Sequence, residues 1–531
     1  MMKIKTLIRS CRRMALLLIA LLATASTAIA YDFEEGGIYY NLNEDGATVT
    51  VTHKWTDWDD FNDSLLYVGD VTIPANITFN GTTYTVTIIG SHAFYDCLGL
   101  TSINIPNTIT TIGSYAFNGC SGLTSITIPY SVTTIGAIAF GNCIGLTSFT
   151  LPNSVDTFGE DDFLNPLEGC SGLTNITVEP GNMVYDSRDN CNAIIKTETN
   201  TMISGCQATV IPRSVTCILT YAFNGCNNLT SIFIPNTVTS IIGSYDYYLT
   251  GLFSGCDNLV SIIVEEGNPN YDSRDNCNAI IETATNTLIA GCGNSIIPNT
   301  VTAIGNSAFG GCTSLSSINF PPSIKTIGQY AFGICSVTNL TLGQVDSIAP
   351  RAFWYCTQLK HVTIPNSVVV TQSYTAYSWF WYCWELMSVT IGSGMGYMGT
   401  MFIHCPNITK VTCLATTPPI TDRWATHTDD GHKKIASNFD DEVYGQATLY
   451  VPAESVEAYQ AARYWKDFQD IRPLGDADGD GALSIGDVTD LIDYLLSGNG
   501  YDMDMGAADV DGDGTISIAD VTDLIDTILN Q

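Results

Sequence analysis

Positive charge is scarce in this sequence. Its 531 residues hold 20 Lys and Arg against 53 Asp and Glu, a formal net charge of −33 at neutral pH. That balance excludes a nucleic-acid binder, which needs a basic footprint, and a protein held electrostatically on anionic lipid. Charged residues are only 14 % of the chain, yet hydrophobic residues make up 45 %, which excludes a disordered polyampholyte. The six histidines, His53, His92, His361, His404, His427 and His432, are dispersed. Only His427 and His432, with Asp429 and Asp430 between them, hint at a metal, and a solvated loop is the simpler reading. No G-x-S-x-G, Walker loop, H-E-x-x-H or Rossmann glycine run occurs, so the usual marks of catalysis are missing. No apolar run reaches the roughly 20 residues of a membrane-spanning helix.

The two ends differ sharply from the middle. Residues 1–30 carry Lys3, Lys5, Arg9, Arg12 and Arg13 and no acid, then an apolar run from Met14 to Ala23, then Ala28-Ile29-Ala30. Charged start, short apolar core and small-x-small site predict a signal peptide, hence an exported protein. Residues 474–531 hold 14 Asp and no Lys, Arg or Glu. Asp476, Asp478, Asp480 and Asp487 fall at positions 1, 3, 5 and 12 of a loop with Gly481 at position 6; Asp509, Asp511, Asp513 and Asp520 repeat the pattern 33 residues on, around Gly514. This is EF-hand calcium-loop spacing. Ala482 and Thr515 offer a backbone carbonyl at position 7, and Ser484 and Ser517 stand at position 9. Two Ca²⁺ ions are therefore expected, with folding of this segment coupled to their binding, because four carboxylates per loop repel one another. After each loop Val488, Leu491, Ile492, Leu495 and Leu496, or Val521, Leu524, Ile525, Ile528 and Leu529, recur at helical spacing.

Loop and helix, twice, resembles a type I dockerin, a calcium-bound module that docks onto a cohesin domain. The resemblance implies a cohesin-like partner. Many cellulosomal dockerins carry Ser-Thr at loop positions 10 and 11; here Ile485-Gly486 and Ile518-Ala519 stand there, implying a different contact. Those four residues either meet a partner or join the segment's own core.

A period of 23 residues runs through the middle. Phe94, Phe117, Phe140 and Phe163 keep it, as do Cys97, Cys120 and Cys143, and Pro106, Pro129 and Pro152. The pattern continues with insertions through Phe223, Phe253, Phe309, Phe332, Phe353, Phe380 and Phe402, each with Cys three residues on. Such a period means stacked repeats, none of which buries its apolar side alone. In one unit Leu123, Ile126 and Ile128 form L-x-x-L-x-L and point inward, Thr127 points outward, and Pro129 ends the strand. Val132, Ile135, Phe140 and Cys143 fill the interior from the return side, and Gly136 suits a turn. About thirteen rungs at ~4.8 Å would stack to roughly 60 Å. The unit I-P-x-S-V-T-x-I-G-x-x-A-F-x-G-C resembles the BspA-type (Treponema-type) leucine-rich repeats of secreted bacterial proteins. The resemblance implies surface display and adhesion, binding a host or bacterial surface protein or a glycan, without catalysis.

Tyr185–Ile195 recurs identically as Tyr271–Ile281, each copy followed by a second apolar stretch, and reads as a hairpin inserted in the array. Arg188-Asp189 and Arg274-Asp275 are expected in local salt bridges there rather than in ligand contacts. Outward positions 104, 127, 150, 177, 319, 341, 363 and 390 hold Asn or Thr, interrupted by Phe233 and Ile263, giving a face of hydroxyls and amides. Of 18 cysteines Cys11 lies in the leader. Repeat-locked cysteines are expected to line the core as thiols; Cys191–Cys206 and Cys277–Cys292 are the only duplicated extra pairings. The expected fold class is a β-rich leucine-rich-repeat solenoid with parallel strands on its concave face and ~23-residue repeats, capped at both ends, plus a small all-α calcium-loop module. The expected layout is 1–30 signal peptide, 31–88 N-terminal cap, 89–413 repeats with hairpins near 178–206 and 264–292, 414–473 C-terminal cap, and 474–531 dockerin-like module. The expected role is nonenzymatic binding and assembly; the alternative is a component of a polysaccharide-degrading complex.

Overall fold

The computed structural model describes residues 31–54, 66–159, 164–242, 251–370, 379–421, 438–498 and 503–530, with the backbone alone of 424–427 and 433–436. The leader at 1–30, Trp55, Trp58 and Phe163, and the side chains of His427, Asp429, Asp430 and His432, lie outside the described residues. The chain divides into two compact units between Asp186 and Ser187.

The first unit opens with an antiparallel meander, Phe33–Glu35, Ile38–Leu42 and Thr48–Thr52. The last of these pairs in parallel with Thr82–Ile89, and the ladder continues in parallel through Thr111–Ile112, Thr134–Ile135 and Thr157–Phe158. A second set of parallel pairs, Gly69–Thr72 with Leu100–Asn104 and Ser148–Leu151 with Asn175–Val178, carries the L-x-x-L-x-L segments. Within Leu123–Ile128 burial alternates as expected, but no ladder forms. Each Pro that ends a strand also starts the turn: the Val132 amide donates to the Pro129 carbonyl at 3.0 Å, and Val155 repeats this on Pro152 at 3.3 Å. Gly136 is needed for close approach, not for a turn conformation. A Cβ there would lie 2.5 Å from the Ser114 nitrogen of the preceding rung.

Between the ladders runs a column of rings. Phe94, Phe117 and Phe140 stack nearly parallel with centroids 5.0 and 5.4 Å apart. Burial of each ring contributes about 1.5–3 kcal/mol, and a stacked pair about 0.5–1.5 more. The next rung departs from the 23-residue phase. Leu167, buried three residues before Cys170, occupies the place expected for Phe163, because the Cys170 thiol is the one that donates to the Phe140 carbonyl, at 2.9 Å.

The second unit repeats this plan. Phe309, Phe332, Phe353, Phe380 and Phe402 stack at 5.1–5.4 Å, and the column runs on to Phe439, 5.4 Å beyond Phe402. A six-stranded parallel sheet runs Asn339–Thr341, His361–Ile364, Ser388–Ile391, Lys410–Cys413, Thr448–Val451, Asp470–Pro473. The sheet therefore extends two strands past residue 413. The intervening stretch carries helices α1 (Asp441–Gln446) and α2 (Val456–Ala461). Two antiparallel hairpins, Ala193–Lys196 with Thr201–Gly205 and Ala279–Glu282 with Thr287–Gly291, join parallel ladders through their second strands. Arg274 pairs with Asp272 at 2.7 Å rather than with its neighbour Asp275, and donates to Asn286 across the hairpin. Arg188 donates to Asn200 in the same way.

All seventeen described cysteines are free and buried, so neither duplicated pair is a disulfide. The reason is local. Most thiols of the regular rungs donate to the Phe carbonyl of the rung before, as Cys120 does to Phe94 and Cys335 to Phe309 at 3.1 and 3.0 Å, while Cys226 donates to the Gly205 carbonyl. Cys191 and Cys206 turn instead to the carbonyls of Ala193 and Asn192. Burial pushes the Cys97 thiol up to about 12 and the Cys277 thiol to about 11, which suppresses the thiolate that oxidation requires.

Candidate calcium loops and the outward strand face

The C-terminal segment folds as two acidic loops, each leading into a helix: α3 (Ile485–Ser497) and α4 (Ile518–Leu529). Gly481 and Gly514 sit at φ +87° and +92°, conformations that disfavour any side chain at position 6. Each loop ends in a capping box. Ser484 accepts from the Gly486 amide at 2.9 Å, and Asp487 accepts from the Ser484 amide at 2.7 Å; Ser517 and Asp520 repeat this. Such a cap contributes about 1 kcal/mol. The S-x-x-D spacing that forms this cap, Ser484 to Asp487 and Ser517 to Asp520, is present in the sequence, and the same serines also stand at position 9 of each loop. Ala477, Leu491, Ala508, Val521 and Leu524 form the small core between the halves.

Three carboxylates converge in each loop. Oxygens of Asp476, Asp478 and Asp487 lie within 4.8 Å of one another, as do those of Asp509, Asp511 and Asp520. Asp480 and Asp513 stand outside these triads; they accept from the amides of Ala482 and Thr515, both at 2.8 Å. Burial pushes the Asp476, Asp509 and Asp511 carboxyls up, and their neighbouring carboxylates add to the shift. The Oδ1 atom of Asp476 is buried and accepts no hydrogen bond among the described residues. Crowded oxygens with an orphaned buried acceptor are what a hard cation satisfies, so the residues present fit Ca²⁺.

Ile485 and Ile518 do not join the core: they are 77 % and 70 % exposed, beside exposed Gly486 and Ala519. Leu496 and Leu529, at the far ends of the same helices, are also exposed.

The second loop is seated on the outward face of the repeats, an arrangement the sequence reading missed. Register aligns Thr341, Thr363, Thr390, Thr412, Tyr450 and Arg472 in one outward column. Thr390 and Thr412 are buried, so position 390 is not part of an open recognition face. Tyr450 donates to Asp504 at 2.9 Å and Arg472 to the same carboxylate at 2.7 Å. Burial alone would raise the Asp504 carboxyl; these bonds and the amides of Gly506 and Ala507 hold it below its ordinary value. Lys410 lies 3.8 Å from Asp509. A Cβ on Gly512 would sit 2.9 Å from the Thr390 methyl, and one on Gly506 2.4 Å from the Tyr450 ring. Earlier along the array the outward positions are open: Thr150 and Thr177 are exposed and share a 3.1 Å hydrogen bond, and Phe233 lies exposed beside Ile263.

The family model described as the BspA type leucine rich repeat region matches in six copies, over residues 87–197, 195–274 and 290–409. The type I dockerin domain model matches residues 474–529. No curated protein matches the chain significantly. Among solved structures, a leucine-rich cell surface protein from Faecalibacterium prausnitzii is 24 % identical with a TM-score of 0.36, over 72 % of this chain and 94 % of that one. The pneumococcal vaccine antigen PcpA is 18 % identical with a TM-score of 0.36, over 83 % and 98 %. A leucine-rich repeat protein from Bacteroides ovatus is 19 % identical with a TM-score of 0.26, over 85 % and 92 %. Among the described residues no helix is long and apolar enough to cross a membrane.

Proposed function

Because the chain belongs to the BspA-type leucine-rich-repeat family and ends in a type I dockerin domain, we propose that it is an exported, nonenzymatic binding protein. In this reading the repeats of residues 89–413 form a capped solenoid that recognises a protein or glycan on a cell surface, and residues 474–531 attach it to a cohesin-like protein. Residues 31–88 and 414–473 close the two ends of the array, which need polar-faced terminal units. The leader-like residues 1–30 support export. Both matched domains are of non-catalytic types.

The observation that carries the assembly role is the paired carboxylate triads. Asp476, Asp478 and Asp487 would hold one Ca²⁺ and Asp509, Asp511 and Asp520 a second, with Asp480, Asp513, Ser484, Ser517 and the carbonyls of Ala482 and Thr515 completing the shells. Bound calcium neutralises the crowded carboxylates. The protein's own contribution is to tie each loop to the first turn of its helix, since Asp487 and Asp520 serve both triad and cap. That tie orients Ile485, Gly486, Ile518 and Ala519 as the partner-facing edge. The exposure of the two isoleucines supports this use, because large apolar side chains left in solvent mark contact sites.

The dockerin match also favours a second reading, a noncatalytic subunit of a polysaccharide-degrading complex. Full-length protein mixed with a purified cohesin domain and analysed by size exclusion separates the outcomes. A complex that forms in Ca²⁺, dissolves in EGTA and is lost in I485K/I518K supports assembly through this edge. A complex indifferent to both changes, or none, contradicts it. Hydrolysis of a polysaccharide by the protein alone would overturn the nonenzymatic reading.

A further inference from the structure

From Phe94 to Phe402, the position two residues after each stacked Phe has a left-handed backbone. Glycine fills it in several rungs, as Gly119, Gly225, Gly255 and Gly311 at φ +67° to +78°. Four consecutive rungs break that economy: Ile334 takes φ +61°, and aromatic rings follow in the next three. Tyr355, Tyr382 and His404 take φ +61°, +63° and +60°. For large L-residues this conformation is strained, and such strain concentrates at functional positions. Packing of the array does not require the rings. Phe94, Phe117 and Phe140 stack at 5.0 and 5.4 Å in rungs that carry Gly119 and Asn142 at the same place.

The three rings make one continuous patch. Tyr355 and Tyr382 lie 5.3 Å apart, and Tyr382 stacks on His404 at 4.4 Å. Trp354 meets Tyr382 edge-on at 6.3 Å, and Trp384 meets Tyr355 edge-on at 5.1 Å. Four of the chain's eight tryptophans, Trp354, Trp379, Trp381 and Trp384, fall within this one stretch, Trp379 being buried in the core. Trp384 is 42 % exposed, His404 is exposed, and Tyr355, Tyr382 and Trp354 are half-buried.

The surroundings select among ligands for such rings. The Arg351 guanidinium lies 5.7 Å over Tyr330 and 5.9 Å over Trp381, rings that border Trp354 and Tyr382, so a cation already stands at the edge of the patch and disfavours a cationic ligand there. Net charge of −33 opposes stacked nucleobases with their phosphates. What remains suited to the patch is neutral, flat-faced and repeating. The electron-rich ring faces attract weakly positive C–H groups, and phenol and indole edges supply the few polar contacts a binding site needs. Rings on successive rungs match successive units of a polymer.

We infer that the patch formed by Tyr355, Tyr382, His404, Trp354 and Trp384 is a carbohydrate-binding platform for a neutral glycan. It lies on the A-F-x-x-C side of the rungs, apart from the threonine face. The inference deepens the binding role proposed above and rests on it.

Affinity electrophoresis of the full-length protein tests it, in gels containing xylan, mixed-linkage β-glucan, galactomannan or hydroxyethylcellulose. The wild type is expected to be retarded by at least one polysaccharide, with a change in tryptophan fluorescence. Y355G/Y382G should weaken that retention at least tenfold while leaving circular dichroism and melting temperature intact, because glycine suits both backbone positions. W384A should weaken it separately. Retention undiminished in Y355G/Y382G overturns the proposal, as does a wild type that no gel retards. So does a wild type that ignores all four polysaccharides yet is held by an immobilised proline-rich peptide. Calcium-dependent capture by a cohesin domain, measured on the same samples, separates the readings: its persistence without polysaccharide binding defeats the platform alone, and loss of both defeats the wider role.

Discussion

The two acidic loops match at every candidate ligand position except 7, where Ala482 stands opposite Thr515, yet their surroundings differ. Around the first loop, a Cβ on Gly479 would meet nothing within 4 Å. Its counterpart Gly512 is pressed against Thr390 and Leu414 of the repeats. No cation contacts the first triad among the described ion pairs, whereas Lys410 approaches Asp509 in the second. Duplication in sequence has thus produced one loop open to solvent and one that also fastens the module to the array. The proposed partner-facing edges, Ile485-Gly486 and Ile518-Ala519, remain exposed in both halves.

The largest difference should come from removing a residue that serves triad and cap together. D520A is expected to lower calcium affinity of the second loop on the order of 100-fold and to cost about 1 kcal/mol of cap stability. Hydrogen exchange should show α4 opening and the seat on Thr390 and Thr412 exposed. D487A should open α3 and leave the seat protected. Equal exposure of the seat in both variants would erase the contrast.

A matched glycine pair sharpens it further. G479A and G512A each force Ala into φ near +70°, costing about 1–2 kcal/mol. Only G512A should also displace the module, because only its Cβ meets the array. Limited proteolysis near residue 474, faster in G512A than in G479A, checks this.

A smaller effect is expected at Lys410. K410Q removes a positive charge beside Asp509, so calcium should bind the second loop roughly three- to tenfold more tightly. The first loop should be unchanged. NMR titration of the Gly481 and Gly514 amides reads the two separately.

The smallest effect is acid dependence of the seat. The Asp504 carboxyl is held below its ordinary value, so its contribution is present above the unfolded value of about 3.9 and lost as pH falls through the folded one. Protection of Thr412 should therefore persist at pH 5 and weaken below about 4. D504N should be weaker at pH 7 and lose that dependence.

Much of this was legible in the sequence because it is local or periodic. Phe94, Phe117 and Phe140 announce their column through even spacing, and Asp476 to Asp487 announce a loop within twelve residues. What escaped is long-range or interrupted. Leu449 to Pro452 reads as a strand in the sequence, but nothing there shows that this strand, Asp470–Pro473 and the ring Phe439 continue the array after an insertion that destroys the phase. Leu167 replaced the expected Phe163 because a four-residue slip looks like a substitution. The seat was hidden for another reason: Thr390, Lys410, Tyr450 and Arg472 share no motif and meet only through strand register. Ile485 and Ile518 were ambiguous because an apolar residue at a helix start serves a core or a partner equally well, and only the fold decides its exposure.

The most direct measurement is calorimetric titration of Ca²⁺ into the EGTA-stripped full-length protein. Two binding events of unequal affinity are expected, the weaker one lost in D511N/D520N and tightened in K410Q. A single event, two identical ones, or no heat at all would contradict a duplicated module whose second loop is shared between calcium and the repeats.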